Sequence, residues 1–345
     1  MFMKRILVVL MVLLVAAGFV FANGGADAED TGDGSQKEVS KELTLYHSHP
    51  ASWTDPLIKE FQERTGIHVN VVGAGTGELA ARIKAEKEAP QADVLWGGGA
   101  PTYQGILDLL QPYEHPYMDD VSSWSRDPQN RWHGSIMFPM VIIYNPKLVA
   151  PEDAPKTWDD LLKPEFKGRI AHADPTKSGS AFTALTIQLA VKGGNNDQGW
   201  AWQKAFVENL DGKLLGSSSG TYKGVSDGEY AVGITYEEGA LRYYRSGADL
   251  EIVYPEDGTI NFPIPIAIIK NGPDPENAQK FVDFILSKDV QSRMGELNNR
   301  TVRNDVELPD FMTPNDSPVF RPYSLELLEN TDAKLQRWKN LIMGK

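Results

Sequence analysis

The sequence predicts an α/β protein of two domains, each built on a mostly parallel sheet flanked by helices. Three observations predict it: strand-like and helix-like runs alternate, 345 residues contain no cysteine, and loops of glycine and hydroxyl residues follow the strands. Residues 43–46 read as a strand, and 51–65 as a helix with Leu57, Ile58 and Phe61 on one face. Gly66 ends that helix, and 67–72 is the next strand. Gly73-Ala74-Gly75-Thr76-Gly77 leads into a helix at 78–88, and the strand 92–96 runs into Gly97-Gly98-Gly99. Alternation at this spacing indicates parallel strands covered on both faces. A second unit follows the apolar stretch 136–144. It reads as helix 157–162, strand 168–173, helix 181–191, a Trp-bearing helix 198–210 and a short helix near 222–227. Strand 230–236, helix 239–245 and strand 252–254 complete it. The apolar, Pro-containing run 260–269 leads to a helix at 275–286, and 325–343 reads as a closing amphipathic helix.

The first 22 residues have the form of a secretory signal. Lys4 and Arg5 precede an apolar run from Ile6 to Phe21, with small residues for cleavage after Ala22. An uncleaved membrane anchor is the alternative for a run of this length. Residues 23–40, rich in Gly, Asp and Ser, read as a disordered tether. The absence of cysteine excludes disulfides, thiol catalysis, Cys-zinc sites and a lipidated N-terminal Cys. About 320 residues remain, enough for two domains stabilised by their cores alone. The formal charge is −13, or −15 without Lys4 and Arg5, which argues against nucleic acid as a partner. It leaves room for a small anion, because local N–H groups and one or two cations dominate inside a cleft.

The stretch Ala173-Asp174-Pro175-Thr176-Lys177-Ser178-Gly179-Ser180 places two hydroxyls and a glycine where a helix begins. The first N–H groups of a helix lack intrahelical partners and carry partial positive charge, so such an end binds anions. Ser178 or Ser180 acting only as a helix cap is the plainer reading. The recurrence of such loops shifts the balance: His47-Ser48-His49, Gly73 to Gly77 and Gly97 to Gly99 each follow a strand. In open α/β sheets ligands bind beyond the carboxyl ends of strands, where glycine permits close backbone approach.

Taken together, Leu43-Thr44-Leu45-Tyr46, Gly75-Thr76-Gly77-Glu78-Leu79, Ala92-Asp93-Val94-Leu95-Trp96 and Lys167-Gly168-Arg169-Ile170 give the chain a family likeness. Asp174-Pro175 with Ser178-Gly179-Ser180, and the run from Lys223 to Tyr230, extend it. Over roughly residues 43–286 the sequence resembles periplasmic solute-binding proteins of ABC importers, in the group that includes ferric-ion-binding and hexose-phosphate-binding members. The resemblance implies a type II periplasmic-binding-protein fold: two lobes, a two-strand hinge, and closure on a solute. It implies lobe 1 at 41–138 and 259–310, lobe 2 at 139–258 and 311–345, a membrane permease as partner, a monomer, and a periplasmic location. No cofactor and no covalent chemistry are expected.

The ferric-binding members place a His after the first strand, a Glu in the loop after the third, and a Tyr pair after the strand matching 230–236. Here those positions hold Pro50, Gly98 and Glu237-Glu238, which disfavours iron. The pair Tyr243-Tyr244 lies two turns further on, inside the next helix. Glycine, hydroxyl and carboxylate in place of metal ligands are similar to the hexose-phosphate and phosphonate branch. The expected solute-binding residues are Ser48, Gly75, Thr76, Gly98, Ser178, Gly179, Ser180, Thr221, Tyr236 and Glu237, the solute being a small anion. Glu237 or Glu238 would accept hydrogen bonds from sugar hydroxyls or an amine, away from the anionic group. Trp53, Trp96, Tyr222 and Tyr236 lie near these loops, whereas Trp200 and Trp202 read as packing.

A ferric-binding protein is the alternative within the family, and an exported metal-dependent or serine hydrolase the alternative outside it. Gly216-Ser217-Ser218-Ser219-Gly220 matches the nucleophile-elbow pattern, but the last histidine is His172, so the required downstream His is missing. His47 and His49 could share a face of an extended segment, with no third ligand at recognisable spacing.

Overall fold

Hydrophobic alternation along single strands determines which face of each sheet is covered. In the computed structural model, which describes residues 40–344, the first unit runs β1 (Glu42–His47), α1 (Ala51–Thr65), β2 (His68–Gly73), α2 (Thr76–Ala85) and β3 (Val94–Trp96). Signal segment 1–22 and all but the last residue of the tether lie outside the described residues. Leu43 and Leu45 of β1 point into one core with Phe61, Val94 and Phe281, while Tyr46 points into another with Leu79 and Leu95. α1 buries Trp53, Leu57, Ile58 and Phe61, and Gly66 ends it in the left-handed conformation at φ 70°.

After α3 (Ala100–Gln104) and β4 (Leu110–Gln111) comes β5 (His133–Phe138), then Pro139, then β6 (Met140–Tyr144). The second unit continues through β7 (Ile170–Ala171), α4 (Gly179–Val191), α5 (Asp197–Leu210), α6 (Ser218–Ser226), β8 (Val232–Tyr236), α7 (Glu237–Arg245) and β9 (Glu251–Val253). β10 (Thr259–Ile260) precedes β11 (Phe262–Ile269), followed by α8 (Pro275–Leu286), α9 (Lys288–Met294), β12 (Phe320–Arg321) and α10 (Thr331–Ile342). One sheet has the order β2-β1-β3-β11-β4, with β5 beside β11; the other has the order β7-β8-β6-β9; β10 pairs with β12.

β1 pairs in parallel with β2 and β3, and β7 with β8. β11 runs antiparallel to β3, β4 and β5, and β6 antiparallel to β8 and β9. Each larger sheet is therefore mixed rather than mostly parallel as expected, because β11 and β6 lie outside the strand–helix–strand repeats and run against every neighbour they pair with. The chain passes between the two larger sheets at Pro139 and again around Asn261, where the Thr259 hydroxyl donates to the Met140 carbonyl at 2.7 Å. From Ala181 to Leu189 α4 is buried on every side, in keeping with a run whose apolar residues are spread around the helix rather than along one face.

Two local expectations change. The helix expected at 157–162 is a 3₁₀ turn over Asp159–Leu162, because Asp160 Oδ2 accepts from the N–H groups of Lys156 and Thr157 and holds a tight turn. The closing helix is broken at Asn330, φ 56°, into a 3₁₀ turn and α10. α9 follows α8 after a single residue, Ser287.

Candidate functional site

Five helices of eight residues or more, α1, α2, α4, α6 and α7, contribute residues at or just before their N-termini to one cleft of about 590 Å³. Its walls come from both larger sheets and their helices: Ser48, Thr76 and Ile264 on one side, Ser178, Ser218 and Tyr236 on the other.

On the first side, the Ser48 N–H donates to the Trp96 carbonyl at 3.1 Å, and its Oγ accepts from Thr76 Oγ1 at 3.1 Å. Gly98 sits at φ +80°, and a Cβ there would collide with the Thr76 side chain; glycine lets the two loops cross. The α2 start has Gly75 at its cap position and no side-chain cap, which leaves its first N–H groups to solvent or ligand. His49 packs 4.6 Å from Trp53 and 5.1 Å from Trp96. Burial, then the neighbouring His47, lowers its pKa to about 3, so the ring is neutral at physiological pH. His49 Nε2 is sealed from solvent without a hydrogen-bond partner among the described residues.

On the second side, Asp174 Oδ1 accepts from the Thr176 N–H and hydroxyl, both at 2.9 Å, and this turn delivers the chain into α4. Ser178 is the cap: its Oγ accepts from the Ala181 N–H at 3.3 Å, and its own N–H donates to the Asp174 carbonyl. Ser180 makes no cap bond, and its side chain lies on the cleft beside Gly179. α6 begins without a side-chain cap; Ser217 Oγ instead pairs with Ser219 Oγ at 3.0 Å. Lys177 is exposed on the rim, with no ion-pair partner among the described residues.

The cleft's one carboxylate is Glu238, in the first turn of α7. Arg242 Nε donates to Glu238 Oε1 at 2.9 Å, and Arg242 Nη2 to the Tyr222 hydroxyl at 3.0 Å. Tyr222 packs tightly over the α7 start, since a Cβ on Gly239 would lie 2.6 Å from its ring. Glu238 Oε2 is buried without a partner, and burial raises the Glu238 pKa despite Arg242. Tyr236, 5.4 Å from Phe138, completes the wall; burial and then Glu238 keep its phenol neutral.

A family model described as bacterial extracellular solute-binding protein matches residues 56–318. The chain belongs to that family. Among solved structures, this solute-binding protein is similar to the periplasmic binding protein AfuA of Actinobacillus pleuropneumoniae, determined with exogenous fructose-6-phosphate bound. The TM-score is 0.80 at 27% identity, covering 88% of this chain and 99% of that one. The ferric binding protein of Campylobacter jejuni gives 0.75 at 27% identity, covering 87% and 99%. A candidate 2-aminoethylphosphonate-binding periplasmic protein of Salmonella typhimurium is 28% identical over 279 residues, 78% of each chain.

Within this solute-binding protein, Ser48, Gly75, Thr76, Gly98, Ser178, Gly179, Ser180 and Tyr236 all line the one cleft. Glu237 does not. It is 1% exposed and bidentate with Arg300, Nε–Oε2 and Nη2–Oε1 both at 2.6 Å, and also accepts from the Tyr254 hydroxyl. Successive residues of a helix point about 100° apart, so when Glu238 faces the cleft Glu237 turns inward to Arg300. Thr221 is fully buried one turn into α6, on its core face, behind Ser217, Ser218 and Ser219. Trp96 is also core, donating its indole N–H to Ser135 Oγ at 2.9 Å. Tyr243 packs 4.7 Å from Tyr222 and Tyr244 is 47% exposed; neither lines the cleft.

Sequence reasoning missed His49, Lys177, Arg242 and Asn299 as cleft residues, and treated Ser217, Ser218 and Ser219 only as an accidental motif. The uncapped serine run before α6 was the available signal. No histidine hydrogen-bonds to these serines among the described residues. Nor does any group of three His, Asp or Glu side chains stand ready to hold a metal ion among them.

Proposed function

We propose that this protein is the exported, periplasmic binding component of an ABC importer and takes up a small anion, a phosphorylated sugar or a phosphonate. The observation that supports this most is the convergence of uncapped helix starts at α2 and α6 with the Gly179-Ser180 turn of α4 on one cleft. Lys177 adds a cation at the rim, and the single carboxylate is matched by Arg242. The solute recorded with the AfuA structure and the ligand named for the Salmonella relative fit the same chemistry. Pro139 and the residues around Asn261 act as the hinge between two lobes. Only the closed form contacts the solute from both sides, so binding shifts the population toward closure and presents that form to a membrane permease.

The test is thermal denaturation with a panel of sugar phosphates, phosphonates, polyols, polyamines and Fe(III). A phosphate ester or phosphonate at 100 times its Kd stabilises by about 2.7 kcal/mol and raises the melting temperature. A rise with Fe(III) alone would move the site to iron.

A further inference from the structure

We infer that the two lobes turn about a line through α7, because one short segment of the first lobe, 296–300, grips that helix of the second lobe at both ends. This rests on the lobe closure proposed above and goes beyond it by assigning the axis. The segment is tied to the first lobe: Gln291 Oε1 of α9 accepts from the Thr301 hydroxyl and the Val302 N–H, and the Arg300 carbonyl accepts from the Met137 N–H of β5. α7 is tied to the second, where it packs on β6, β8 and β9.

The inner grip is that of Arg300, fully buried, on Glu237. It reaches both places where the chain changes sheet. The Glu237 N–H donates to the Pro139 carbonyl at 3.1 Å, and Asn315 Oδ1 accepts from Arg300 Nη1 at 2.8 Å and from Asn261 Nδ2 at 3.2 Å. The outer grip is on Arg245, in the last turn of α7. Its Nη1 donates to Asn298 Oδ1 at 2.6 Å and to the Glu296 carbonyl at 3.1 Å, and its guanidinium lies 4.2 Å from the Phe311 ring centroid. The two gripped residues lie about 12 Å apart along the helix. Two fixed points leave rotation about the line joining them as the one rigid motion. Separating a buried ion pair is strongly unfavourable, so a closing motion that keeps Glu237 on Arg300 costs least. Elsewhere Trp124 meets Tyr323 by ring packing at 5.8 Å, and the Tyr323 hydroxyl has no partner among the described residues, so that contact is free to slide.

The competing role for the outer grip is a latch, made in one lobe position and broken in the other. Bridging it covalently separates the two. The chain has no cysteine of its own, so Arg245→Cys with Glu296→Cys, both exposed positions, gives one defined pair of thiols for a short bis-maleimide. The full exported chain carrying this pair is compared before and after bridging, with circular dichroism as the check on folding. Fructose-6-phosphate and 2-aminoethylphosphonate are the probes, read by calorimetric titration and by small-angle X-ray scattering. An axis predicts affinities that agree within about twofold and the same fall in radius of gyration on binding. A latch predicts an affinity changed by about tenfold or more in either direction, or no compaction once bridged. Either of those results would overturn the inference while leaving closure standing in the unbridged protein. No compaction of the unmodified protein with either probe would remove the reading on which it rests.

Discussion

The starts of α4 and α7 both meet the cleft, and they divide their work differently. At α4 the chemistry is neutral: Ser178 caps the helix and Ser180, two residues on, lines the cleft. At α7 it is charged: Glu237 is sunk against Arg300, and Glu238, the next residue, faces the cleft with Arg242. In each case one residue anchors the helix and a near neighbour lines the cleft. The difference lies in cost. A serine cap is worth about 1 kcal/mol, whereas an ion pair sealed from water is strongly destabilising when half of it is removed.

The largest way to break this comparison is Arg300→Met. Glu237 would be left buried with the Tyr254 hydroxyl as its remaining side-chain partner, and unfolding by denaturant should show a loss of about 3–5 kcal/mol. Adding Glu237→Leu should recover most of it. A loss below about 1 kcal/mol in the single variant would show that Glu237 is not an anchor.

Acid sharpens the comparison by asking whether the core, rather than either helix start, sets the pH limit. Burial lowers His172, just before the α4 loop, to about 4, and His115 and His133 to about 3 and 4. The unfolded chain therefore binds protons near pH 6.5 that the folded chain refuses. Stability is full above that pH and falls as pH drops toward 4, each histidine contributing up to about 1.4 kcal/mol per pH unit. His172→Gln should flatten the slope measured by urea titration between pH 6.5 and 4.5; an unchanged slope would exonerate this histidine.

Smaller still is Ser178→Ala, which removes the cap from the Ala181 N–H. About 1 kcal/mol should be lost in urea unfolding of the unliganded protein. No measurable loss would mean that the α4 start needs no anchor.

Much of this architecture was legible because periodicity is local. The strand and helix order of the first unit follows from Leu57, Ile58 and Phe61 on one face of α1 and from the glycines that close each element. What was not legible depends on distant partners. Glu237 and Glu238 are equivalent at the end of a strand until Arg300, 63 positions away, claims one of them. Thr221 reads as available from sequence because its depth is set by how Thr221 and Val225 of α6 pack on Gly233 of β8, a distant partner. Asp160 turned an apparent helix into a tight turn through its side chain, an effect that hydrophobic spacing does not register.

The central claim is that the helix starts at the cleft serve the solute and not only the fold, and Ser180→Ala tests it most directly. Its affinity for the tightest phosphonate or sugar phosphate of the panel and its unliganded urea midpoint should be measured on the same preparation. The account predicts an affinity about tenfold weaker with a midpoint unchanged, as expected for one lost hydroxyl contact at a position that caps nothing. A lowered midpoint with unaltered affinity would contradict it.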